Sequence, residues 1–246
     1  MTSSARAWAE RMEAAASPLG GPDERFIGYG VMGLPFAGGH YLVLRRWPSN
    51  PFERPYSSVW HRTPDGHWTF YVDAAANASC PRYADVAIDE AVFSAIEVGW
   101  DGPARLTVRV ADWVTWTMVL GSSTATAVLS AVAGVLPAAA LSNRAVLAAM
   151  GAAAGPMLGA GRIRMAGTSP NGQWFTTEPS RVWTITDSTA TVEGADLGAP
   201  GRLPEQAMLG EVPLPQRGLF WAGDARLERF DPLKHRAPRP AVVRAR

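Results

Sequence analysis

Residues 56–73 constrain this chain more than any other segment. Two runs rich in aromatic and β-branched residues flank the string Thr63-Pro64-Asp65-Gly66. Proline at the second turn position and glycine at the fourth suit a type I turn followed by a glycine bulge, which fixes two antiparallel strands in one register. That register pairs Thr63 with His67, Arg62 with Trp68, His61 with Thr69, Trp60 with Phe70, Val59 with Tyr71 and Ser57 with Asp73. Successive strand side chains point to opposite faces, so the hairpin sorts into two sets. Trp60, Trp68, Phe70, Val72 and the stem of Arg62 make a packing face. Ser57, Val59, His61, Thr69, Tyr71 and Asp73 make either a solvated face or a polar wall inside a barrel.

Strand signals extend in both directions. Residues 41–47 form a β-rich run, and 93–98 and 105–110 flank Trp100-Asp101-Gly102-Pro103. Further strands are expected at 113–120, 162–166, 174–177, 181–186, 190–193 and 219–228, with Glu178-Pro179 marking a strand end. Two segments break the pattern. Residues 3–16 place Ala5, Trp8 and Met12 at helical spacing, and 124–161 are Ala-rich, with breaks at Pro137 and Pro156 and a candidate cap at Ser142. Helices are expected at 125–136 and 143–154. Strand and helix do not alternate, which argues against a doubly wound sheet or a TIM barrel. The order fits a mainly β fold: an antiparallel, up-and-down β-barrel with an N-terminal helix and an Ala-rich helical insertion at about 124–155. A two-sheet sandwich is the competing architecture. One domain is expected over 1–233, followed by a basic, Pro/Arg-rich tail at 234–246.

Several chemistries are disfavoured by what the chain contains. Net charge is +1, so no global field steers it towards nucleic acid. Lys234 is the only lysine and lies in the polar tail, which disfavours a Schiff base. A single cysteine, Cys80, can form neither a disulfide framework nor a cysteine zinc site. No GxSxG, Walker A or HExxH string occurs. Gly28-Tyr29-Gly30-Val31-Met32-Gly33 matches GxGxxG, but Leu34-Pro35-Phe36 follows where a dinucleotide site needs a helix. Flexible backbone at a barrel bend is the better reading. His40, His61 and a carboxylate could compose a metal site, though no spacing demands one, so no metal or cofactor is expected. The N-terminus has no apolar signal-peptide core, which makes the cytoplasm the expected compartment. The Ala-rich insertion is interrupted too soon for a membrane span and reads as a barrel lid or homodimer contact.

The strings Tyr56-Ser57-Ser58-Val59-Trp60-His61-Arg62, Gly167-Thr168-Ser169-Pro170-Asn171-Gly172 and Pro215-Gln216-Arg217-Gly218 resemble an uncharacterised actinobacterial group of similar length. Over residues 26–230 the strand pattern is loosely similar to lipocalin-like proteins related to carotenoid hydratases and cyclases. That resemblance implies a lipocalin-like barrel holding a bulky, apolar, natural-product-like molecule, and it transfers no residue. Ten tryptophans agree with either a large aromatic core or an apolar cavity. The functional expectation is a cofactor-independent isomerase, cyclase or hydratase. His61, Tyr71 and Asp73 are its candidate acid–base groups, and Trp60 and Trp116 its apolar wall. The alternatives are a non-catalytic lipid or pigment carrier and a helix-mediated interaction module.

Overall fold

The chain runs α1 (Ala5–Ala14), β1 (Glu24–Pro35), β2 (Tyr41–Ser49), β3 (Tyr56–Arg62), β4 (Trp68–Val72), α2 (Pro81–Ala84), β5 (Glu90–Phe93), β6 (Ile96–Asp101), β7 (Arg105–Val110) and β8 (Val114–Gly121). Helices α3 (Thr124–Val135) and α4 (Arg144–Leu158) follow, then β9 (Ala166–Thr168), β10 (Trp174–Val192), β11 (Ala195–Asp196), β12 (Met208–Leu209), β13 (Val212–Pro213) and β14 (Leu219–Leu227). This is a computed structural model. It describes residues 4–52, 54–137, 140, 143–239 and 242, with Asp85 described by its backbone alone. The candidate cap Ser142 and most of the tail end lie outside those residues. Strands account for 42% of the chain and helices for 20%, so the fold is mainly β.

The hairpin forms as its turn dictates. Gly66 N–H donates to Thr63 O at 3.0 Å, and Gly66 takes φ 98°, which an L side chain rarely adopts. β3 and β4 pair Arg62 with Trp68, His61 with Thr69, Trp60 with Phe70 and Val59 with Tyr71, the register read from the sequence. Twelve strands make one sheet, ten of them in the order β5-β4-β3-β2-β1-β14-β10-β8-β7-β6, with β9 and β11 pairing with β10 off this path. The sheet curls into a half-barrel in which β6 comes back towards β3. Neighbours are antiparallel except β4 and β5, and β1 lies beside β14, so the connectivity is not a simple meander.

Three segments differ from the sequence expectation. Residues 93–98 divide: β5 ends one edge of the sheet at Phe93 and β6 starts the other edge at Ile96. Residues 174–192 form one long strand. Its irregularities at Pro179/Arg181 and Ile185/Asp187 absorb the proline and the polar run, which therefore do not end it. The expected 162–166 strand is displaced: residues 162–165 are not in a strand, and the short β9 starts at Ala166. Helix α4 continues through Pro156 to Leu158, capped at its start by Asn143, whose Oδ1 accepts from Ala145 N at 2.9 Å. Among the described residues, no helix is long and apolar enough to cross a membrane.

Both faces of the sheet are covered. The concave face gathers Tyr29, Val31, Leu42, Leu44, Val59 and Tyr71 with Leu106, Val108, Trp116 and Phe220, and α1 packs against it through Ala5, Trp8, Ala9 and Met12. The convex face carries Phe26, Tyr41, Val43, Trp47, Trp60, Trp68, Phe70 and Trp221 beneath residues 80–91 and 203–214. Helices α3 and α4 pack beside that cover, against β10 and the start of β14.

Candidate functional site

The strand register sends the sequence-predicted residues to different places. His61, Tyr71 and Asp73 share the concave-side face of the hairpin. His61 is buried and meets His40, with His40 Nδ1 and His61 Nε2 2.9 Å apart. The β2–β3 register, which pairs Leu42 with His61, brings the two rings together across 21 residues. Desolvation pushes the His40 imidazolium below the ordinary histidine range, against an opposing pull from Asp65. Tyr71 is sunk in the concave core, and Asp73 Oδ1 accepts from Ser57 N at 2.7 Å. Trp116 is fully buried on the concave face, where its indole N–H donates to Ser188 Oγ at 2.9 Å. Among the described residues no group of three or more His, Cys, Asp and Glu is placed to hold a metal ion.

Trp60 goes to the other face, and there the molecule is hollow. An apolar cavity of about 170 Å³ lies between the convex face and its cover. Phe26, Trp47, Tyr56, Trp60 and Phe70 form its sheet wall, Cys80 and Ala84 one side, and Leu209, Leu214 and Ile163 the roof. A second chamber of about 100 Å³ adjoins it, walled by Leu129 and Ala133 of α3 and by Met150, Ala154 and Leu158 of α4. Met32, Arg45, Trp47, Ile163, Thr177 and Ala225 line both chambers, so the two share a wall. Met32 reaches it because β1 bulges between Val31 and Gly33. The helical insertion thus has a concrete role, as a wall of this space.

Arg45 is the residue that sequence reasoning missed. Arg45 and Arg46 are adjacent on β2, with β1 on one side and β3 on the other, so one guanidinium must lie on each face of a buried sheet. That pair, set in the apolar run 41–47, was the available signal. On the concave side Arg46 is fully compensated: Nε and Nη2 reach Glu13 Oε1 and Oε2 at 2.9 and 3.0 Å, and Tyr29 OH donates to the same carboxylate at 2.9 Å. On the convex side Arg45 finds no acid among the described residues. Its Nη1 donates to Val31 O at 2.6 Å and to Leu44 O at 3.1 Å, and its guanidinium lies 4.9 Å from the Trp60 ring centre. Among the described residues, Nε and Nη2 have no hydrogen-bond partner. Burial pulls Arg45 down to about 10, which leaves it charged at neutral pH. The polar groups beside it are neutral there: burial pushes the Tyr56 hydroxyl and the Cys80 thiol above their ordinary ranges.

Asp73 gives a pH-dependent test of the concave-side cluster. Desolvation raises its carboxyl, and the Ser57 N–H and Arg46 only partly offset this. A carboxyl raised in the folded state binds its proton more tightly there than in the unfolded chain. Its ionisation therefore costs stability as pH rises from the unfolded carboxylate range, near ~3.9, through the folded value. Asp73→Asn retains an acceptor for Ser57 N–H, so it is expected to match or exceed the parent in stability at neutral pH. The difference should vanish on acidification. Thermal unfolding of both proteins from acid to neutral pH checks this, and a variant less stable only at neutral pH contradicts it.

No family model matches this chain, and no curated protein matches it either. Among solved structures it is similar to an acetoacetate decarboxylase from Legionella pneumophila, with a TM-score of 0.40 and 12% identity, over 89% of this chain and 88% of that one.

Proposed function

We propose that this protein binds a small, largely apolar molecule in the two-chambered cavity on the convex side of its sheet. The observation that carries this reading is the cavity itself. An apolar space of about 170 Å³, walled by aromatic rings and adjoining a second chamber, is many times what one water needs. Ligand sites are typically such concave, mostly apolar clefts with a few polar groups placed in them. The described groups around it are donors and ring faces, with no carboxylate or histidine among them, which favours holding a ligand over acid–base turnover.

Ala225 lines both chambers, and its small side chain leaves them open. Ala225→Leu is expected to lower affinity for apolar probes at least tenfold, read by quenching of Trp47 and Trp60 fluorescence. Its melting temperature should stay within a few degrees of the parent, because filling a cavity offsets the strain it introduces. Unchanged probe affinity in folded Ala225→Leu would sink the assignment of the cavity.

A second reading, catalysis without a cofactor by His61, Tyr71 and Asp73, places the substrate on the concave side. The part-buried His40–His61 contact and the desolvated Asp73 carboxyl favour it, since both are groups able to exchange protons. The reaction type would be an isomerisation, cyclisation or hydration. His61→Ala and Tyr71→Phe would then each cost about 10²–10⁴-fold in turnover. Full activity in both variants removes this reading.

A further inference from the structure

We infer that the ligand of the convex-side cavity is a small apolar acid carrying one carboxylate, and that Arg45 is its anchor. This inference rests on the binding reading above and names the chemistry of the molecule bound.

The first ground is charge. Arg45 lies deep in the protein yet remains partly accessible, because its side chain opens onto both chambers. Taking an ion out of water is unfavourable unless a counter-charge or a full set of hydrogen bonds compensates it. Arg46, next in the chain, has such a counter-charge in Glu13. Among the described residues Arg45 has none, and no described Asp or Glu side chain lines either chamber. The other charged residue in the lining is Arg164, an exposed second cation at the rim. The charged groups of the described lining are therefore both cations.

The second ground is geometry. A purely structural role for Arg45, fastening the bulge of β1, is carried by Nη1 alone through Val31 O and Leu44 O. What remains is the edge formed by Nε and Nη2. Those two N–H groups run parallel and match the two oxygens of a carboxylate in a bidentate pair. The Trp60 ring at 4.9 Å covers the guanidinium and shields such a pair from water.

The third ground is size and polarity. One guanidinium in the chamber matches one negative charge, and the neutral Tyr56 hydroxyl and Cys80 thiol tolerate an anion beside them. Phe26, Trp47 and Phe70 offer an apolar bed for the rest of the molecule. An apolar cavity of ~150 Å³ admits a benzene ring, so a chamber of about 170 Å³ suits an aryl or short alkyl body.

The test uses the full chain and three matched pairs: benzoate, 3-phenylpropanoate and octanoate, each against its primary amide. The amides keep shape and remove charge. Dissociation constants come from calorimetry at neutral pH, with tryptophan quenching as a check. At least one acid is expected to bind about tenfold or more tightly than its amide, the ratio expected when a charge-assisted pair replaces a neutral one. Arg45→Met should abolish that preference while leaving amide binding within a few fold. Arg45→Lys keeps the charge but loses the paired edge, and should retain only part of the preference. Should Arg45→Met fail to fold, the parent comparison together with Arg45→Lys still decides. Acids and amides binding equally to the parent protein would overturn the carboxylate inference and leave the apolar-binding reading standing. A preference that survives Arg45→Met would overturn Arg45 as the anchor. Binding of none of the six compounds would overturn both.

Discussion

Glu24→Ala is expected to lower unfolding stability by about 3–5 kcal/mol, the cost typical of breaking a buried ion pair from one side. Glu24 is 8% exposed at the start of β1 and accepts four hydrogen bonds. They come from Arg82 Nη2 at 2.5 Å, Tyr83 OH at 2.7 Å, Gln173 Nε2 at 3.1 Å and Phe230 N at 3.3 Å. Those donors belong to three separate stretches of chain, so one carboxylate fastens the residues around α2, the turn before β10 and the segment after β14 to the sheet. Alanine would leave the Arg82 guanidinium, also held between Phe52 and Phe230, without its counter-charge. Glu24→Gln keeps one acceptor oxygen and should cost clearly less. Tyr83 and Ala84 line the cavity, so Glu24→Ala should weaken ligand binding as well. A urea midpoint that implies a loss below about 1 kcal/mol would contradict this account.

Gly30→Ala should be at least as damaging, costing more than about 3 kcal/mol or preventing folding. Glycine to alanine within a strand ordinarily does little or helps slightly, because alanine restricts the unfolded chain. At residue 30, however, a Cβ would sit 2.1 Å from Leu44 O and 2.9 Å from Leu44 C. Both are backbone atoms of the paired strand, and they cannot move aside without parting β1 from β2. Gly28 has the same relation to Arg46 O, also at 2.1 Å. The GxGxxG string is therefore read as close strand approach; it lies inside β1, where no helix opens, and it serves packing more than flexibility. Gly99→Ala is the control, since a Cβ there meets nothing within 4 Å. It should change stability by no more than a few tenths of a kcal/mol. Equal melting temperatures for the two variants would show that the strand approach is not tight.

Local chemistry determined a good part of this molecule. A turn whose second and fourth residues are proline and glycine fixed the register of β3 on β4, and with it which side chains share a face. The period-2 pattern of residues 105–110 marked β7, and the Ala-rich composition of 124–161 marked the two helices. These signals are short-ranged, because turn geometry and side-chain period act within a few residues. The site was not legible in the same way. Alternation placed Trp60 opposite His61, Tyr71 and Asp73, but it could not say which set faces a cavity. Polarity gave no help, because the sheet curls over one face while residues 80–91 and 203–214 and the helices cover the other, so both are buried. The long strand β10 runs through Glu178-Pro179 because a bulge against β14 absorbs the proline, a partner 40 or more residues away in sequence. Arg45 and Arg46 look alike in the sequence. Only the packing of α1 onto the concave face gives Arg46 its glutamate, and only the cover of the convex face leaves Arg45 charged, half-buried and, among the described residues, without a carboxylate. Burial and counter-charge are set by contacts between distant segments, and the tertiary structure alone decides them.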